Sequence, residues 1–135
     1  MSDVSLDLNP DGPHSPEHTF EAGQLFDDCS RFLVYATMAR KGGLVYPADA
    51  YRLLGDVCSA TGRLSQMCEQ LTAFLQAQEA TGRLYEARDR DIAGQVGSAA
   101  DSLQLAGNWA RSLTTVLQNA QRAINGLGVK DDPDA

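Results

Sequence analysis

The residues that could do chemistry are few and poorly spaced for it. His14 and His18 are the only histidines, four apart with Glu17 between them. On a helix that spacing puts two imidazoles on one face, where they can hold a metal ion. Pro16 lies between the two, and His14 precedes the point where a helix can start, so no metal site is expected. Cys29, Cys58 and Cys68 are odd in number and form no Cys-x-x-Cys pair. Each falls in a helical pattern beside apolar neighbours, which predicts buried free thiols in a reducing cytoplasm. Asp27, Asp28, Asp56 and Glu69 offer carboxylates without the Glu-x-x-His companions that a di-iron bundle needs. No histidine falls among the core positions to activate a cysteine, and no phosphate-binding or dinucleotide-binding glycine motif occurs. The expectation is a protein with no catalytic site, no cofactor and no small-molecule substrate.

Charge narrows the partners. The net charge is −7, and it is concentrated at the ends. Residues 1–30 carry seven acids and no Lys or Arg, while residues 31–126 carry ten basic against eight acidic residues. A near-neutral middle without a basic stripe disfavours a nucleic-acid backbone as partner. The longest apolar run, residues 32–36, is far too short for a membrane span, and the N-terminus lacks the basic-then-apolar order of a signal peptide. These features predict a cytoplasmic protein, with export by a route that needs no such signal left open.

The elements that would position any site are helices. Val96, Ala99, Leu103, Ala106, Ala110, Leu113, Leu117, Ala120, Ile124 and Leu127 recur in alternating steps of three and four. That is the seam of one helix laid along another, and it predicts a helix over 91–125 ended by Gly126 and Gly128. Upstream, Pro47 opens a second helix that Gly82 ends. Ala50, Leu53, Val57, Ala60, Leu64, Met67, Leu71 and Phe74 form one of its seams. Leu54, Val57, Thr61, Leu64, Cys68, Leu71 and Leu75 form another. Two seams imply two helical neighbours. The segment Ala-Thr-Gly-Arg-Leu occurs at 60–64 and at 80–84. The seams run through the first copy and stop at the second, so Gly62 lies inside the helix and Gly82 terminates it.

Ser15-Pro16-Glu17 starts a first helix expected over 16–40, with Ser15 as cap, Pro16 at the first position and Glu17 against the positive helix end. Ala22, Phe26, Cys29, Leu33 and Ala36 make its seam, while Val34, Tyr35 and Met38 point away from it. Short connectors make successive helices antiparallel neighbours. The expected fold is therefore all-α, an antiparallel three-helix bundle over 16–127, with acidic tails at 1–15 and 128–135. Helix 1 is too short to reach the far tip of the hairpin, which leaves Phe74, Leu75, Leu84, Tyr85, Ile92 and Val96 poorly covered there. Asp89 or Asp91 is expected to cap helix 3.

These patterns predict a helical interaction or scaffold protein that self-associates or docks on a larger partner. The residues singled out for contact are Val34, Tyr35, Met38, Phe74 and Tyr85. As a long antiparallel hairpin in a small protein, the chain resembles the secreted WXG100 family in architecture. That resemblance implies export, which a C-terminal export signal or a paired neighbouring gene would favour. The family's Trp-x-Gly turn is absent: Trp109-Ala-Arg lies inside helix 3, and the turn here is Thr81-Gly-Arg, so no family residue carries over. A third reading is a small subunit of a nucleic-acid-associated, phage or defence complex. It would act through Arg83, Arg88, Arg90, Arg111 and Arg122.

Overall fold

A computed structural model describes residues 8–88 and 90–131. The fold class read from the sequence is the one observed: all-α, with three helices and, among the described residues, no strand. They are α1 (Pro16–Ala36), α2 (Pro47–Ala80) and α3 (Ile92–Ala123). None is long and apolar enough to cross a membrane. The chain forms two compact units, one up to Val45 and one from Tyr46 onward.

In the first unit, α1 starts as its residues dictate. The Ser15 hydroxyl accepts from the His18 amide at 3.1 Å, Pro16 occupies the first turn, and Glu17 faces the positive helix end. The helix stops at Ala36, four residues short of the expected end. Thr37 is its C-cap, with its amide and its hydroxyl both donating to the Leu33 carbonyl, at 3.0 and 2.8 Å. The backbone then turns through Gly42, at φ 76°, and Gly43 comes against the Ala36 carbonyl, where a Cβ would lie 2.1 Å from the oxygen. No residue of α1 is buried, since this unit has no second helix to cover it. Cys29, expected in the core, is exposed for that reason, whereas Cys58 is buried and Cys68 half-buried as free thiols.

In the second unit, α2 and α3 pack extensively as an antiparallel hairpin. Asp49 fastens the start of α2 by accepting from the Tyr46 amide at 2.8 Å. Gly62 sits inside α2 with open space around its Cα, and Gly82, at φ 68°, ends the helix. Asp91 is the N-cap of α3 but makes no side-chain cap bond, and Asp89 lies outside the described residues. Gly126, at φ 83°, follows the end of α3.

The middle of the line where the two helices meet is made of small and polar residues. Cys58 and Thr61 of α2 are buried, as are Val96, Gly107 and Ala110 of α3. A Cβ on Gly107 would stand 3.7 Å from the Cys68 Cβ and 3.6 Å from the Ser65 carbonyl, so the backbones approach closely there. The Thr61 and Thr114 hydroxyls share a hydrogen bond of 2.7 Å across the seam. The Gln121 side-chain amide donates to the Tyr51 carbonyl at 3.0 Å further along. Val96, expected to lie uncovered at the tip, is buried by the hairpin itself, and Leu75 and Ile92 are half-buried.

Gly107→Ala should be accepted, because the added methyl meets ordinary contact distances, and it should raise stability by up to about 1 kcal/mol through helix propensity. Gly107→Leu should instead cost about 1–3 kcal/mol by forcing the helices apart. Urea unfolding of the two variants checks both signs. Thr114→Val alone should cost about 1 kcal/mol, while Thr61→Val with Thr114→Val should cost less than the two single changes together.

Candidate interaction face

The hairpin seam follows Leu54, Cys58, Thr61, Ser65, Cys68, Thr72 and Leu75 on α2. On α3 it follows Val96, Ala100, Leu103, Gly107, Ala110, Thr114, Leu117, Gln121 and Ile124. Stepping back one residue rotates about 100° around a helix. Because α2 and α3 are antiparallel, that step leads to the same side of the hairpin on both. It gives Leu53, Val57, Ala60, Leu64, Met67, Leu71 and Phe74 on α2. On α3 it gives Gln95, Ala99, Ser102, Ala106, Trp109, Leu113, Val116, Ala120 and Ala123. Both rows keep the three-four spacing, so this side of the hairpin carries a second pair of seams, apolar apart from Gln95 and Ser102.

The bulk lies there. Met67, Leu71, Phe74, Trp109, Leu113 and Val116 are each between 45 % and 65 % exposed. Stepping one residue forward from the seam reaches the opposite side, which is polar: Ser59, Gln66, Glu69 and Gln76 of α2, and Asp101, Gln104, Asn108, Arg111 and Gln118 of α3. An open groove of about 360 Å³ runs along that side, lined by residues including Cys68, Glu69, Gln104, Gly107 and Arg111. Arg111 spans it to Glu69 at 3.5 Å and also holds Asn108. The hairpin is thus amphipathic as a whole: small residues inside, polar residues on one face, bulky apolar residues on the other.

Phe74, chosen from the sequence, belongs to the apolar face. Tyr85 is 89 % exposed in the connector between α2 and α3. Val34 and Tyr35 lie exposed on α1, and Met38 stands exposed just beyond its end. Sequence reading missed Trp109, Leu113, Val116, Met67 and Leu71 as members of one surface. Their signal was present as the second seam of α2, and it needed the hairpin's register to be joined to α3.

The groups considered for chemistry are engaged locally. His18 Nδ1 lies 2.6 Å from the Ser15 hydroxyl, and His14 Nε2 lies 2.8 Å from the Pro10 carbonyl. Both line a shallow hollow of about 240 Å³ with Leu8, Pro13 and Ala22. Among the described residues no three His, Cys, Asp or Glu side chains gather to hold a metal. Of the five arginines, Arg111 pairs with Glu69 and Arg90 with Glu86.

Glu86 organises the connector. Its carboxylate accepts from the Arg88 and Arg90 amides at 2.8 Å each and from the Arg90 guanidinium at 3.0 Å. The Arg90 side chain, with the Arg90 and then the Arg88 amide behind it, holds the Glu86 carboxyl below its ordinary pKa. Against models of protein families, curated proteins and solved structures, the chain has no match.

A carboxyl whose pKa is lowered on folding stabilises above its unfolded pKa and stops doing so as pH falls through the lowered value. Wild type should therefore unfold at a higher temperature than Glu86→Gln at neutral pH. The gap should close as pH drops below the ordinary carboxylate range, and thermal melts across that range check it.

Proposed function

We propose that this is a non-enzymatic helical interaction protein that works by burying the apolar face of its α2–α3 hairpin against another protein surface. The observation that carries the reading is the sidedness of the hairpin. Six large apolar side chains stand exposed on one face, while the opposite face is polar and tied by Glu69 and Arg111. A two-helix hairpin that buries only Cys58, Val96 and Ala110 among its described apolar residues has little core of its own, so its bulky face supplies the remaining hydrophobic driving force. The acidic ends, reflected in the net charge of −7, favour solubility of the free chain. We place the protein in the cytoplasm. Support comes from its three free thiols, of which Cys58 and Cys68 stand ten residues apart on one helix and cannot reach each other.

The test is size in the native host. In a cell extract the wild-type chain should elute in an assembly heavier than one chain, and Trp109→Glu should return it to single-chain size with its helix content kept. Elution of wild type at single-chain size, unchanged by Trp109→Glu, would contradict the interaction reading.

A further inference from the structure

We infer that the occupant of the apolar face is a second copy of this chain, docked face to face so that two α2–α3 hairpins form a four-helix bundle. The inference rests on the interaction reading above and names its partner. Three observations carry it. The first is angular. On both helices the inner seam and the outer seam are offset by one residue, or about 100°. In a square of four helices each helix has neighbours about 90° apart, whereas in a triangle of three they stand about 60° apart. The offset matches the square. The second is area. Met67, Leu71, Phe74, Trp109, Leu113 and Val116 expose between 45 % and 65 % of their surface. At roughly 200 Å² for a side chain of this size, they leave about 650 Å² open per copy. Pairing two copies removes on the order of 1,300 Å², within the span of stable interfaces.

The third is self-complementarity. On α2 the bulk of the face is uneven, with Met67, Leu71 and Phe74 toward the connector and Val57 and Ala60 toward the other end, while on α3 Trp109, Leu113 and Val116 lie between the small Ala99 and Ala106 and the small Ala120 and Ala123. A two-fold axis lying between the two faces and perpendicular to the helices, at the level of Leu64 and Leu113, lays the large half of each α2 on the small half of the partner copy's α2. That is the requirement for an interface in which both copies use the same patch. A heterologous contact would leave the large half of one copy open and propagate into a filament.

The experiment is light scattering on the purified full chain over a dilution series, with acrylamide quenching of Trp109, the single tryptophan, read on the same samples. The expected mass at high concentration is twice the 14.5 kDa of one chain, falling on dilution as Trp109 becomes quenchable. Trp109→Glu and Ala60→Trp, which respectively charge the middle of the face and fill the small half of α2, should each raise the dissociation constant at least about 30-fold. Gln66→Glu, on the polar face, should leave it unchanged. The quenching of wild type needs no variant to fold. A single-chain mass at every concentration would overturn the inference, as would a dimer indifferent to both face variants or open-ended oligomers. If the purified chain is single while the extract assembly is large and lost in Trp109→Glu, the second copy is excluded and the interaction reading stands.

Discussion

The close approach of α2 to α3 is the constraint on which the rest of the hairpin depends. Where Gly107 meets Ser65 and Cys68, no side chain separates the backbones, and a Cβ would already touch. Two helices can come this near only along a stripe of small residues. The stripe here, Cys58, Thr61, Ser65 and Cys68 against Gly107, Ala110 and Thr114, is small through the middle of the hairpin, with Leu54, Leu75, Val96, Leu103, Leu117 and Ile124 filling the seam around it. Hydroxyls in such a seam must find partners. Thr61 and Thr114 find each other across it, and Thr114 also reaches the Ala110 carbonyl at 2.8 Å. Once small residues take the inside, geometry sends the large ones out, and antiparallel helices send them out on one side.

This explains how much could be read beforehand. Helix existence was legible because caps and stops were written plainly: Ser15-Pro16, Pro47, Gly82 and Gly126 all act where their chemistry says. The two copies of Ala-Thr-Gly-Arg-Leu differed in outcome, as seam continuity indicated. Register was only half legible. Val96, Leu103, Ala110, Leu117 and Ile124 belong to the observed seam of α3, but the alternate positions shift by one residue, from Ala106 to Gly107 and from Leu113 to Thr114. At these two positions a reading that ranks by hydrophobicity picks the bulkier neighbour, and close helix pairing selects the smaller one, because distance between backbones outweighs side-chain area at that contact. The shifts from Ala99 to Ala100 and from Ala120 to Gln121 follow from the register these two set.

The site was legible in part. Phe74 is legible because it ends a seam without a partner, whereas Trp109 and Val116 each sit one residue before a seam position of α3 and join a surface only through the hairpin's register. The exposed apolar residues of α1, among them Phe20, Phe32, Val34 and Tyr35, belong to a unit that buries nothing of its own. So small a core beside so much exposed apolar surface is the physical basis of the proposed assembly.

The most direct test of the seam is a covalent one. Gly107→Cys, in a Cys29→Ser background, places a second Cβ about 3.7 Å from that of Cys68, inside the span a disulfide bridges. Ala106→Cys, one residue back, points to the apolar face. Under mild oxidation the account predicts that Gly107→Cys links to Cys68 within one chain and Ala106→Cys does not. Linkage of Ala106→Cys with none from Gly107→Cys would put the bulky row inside the hairpin and contradict the account at its base.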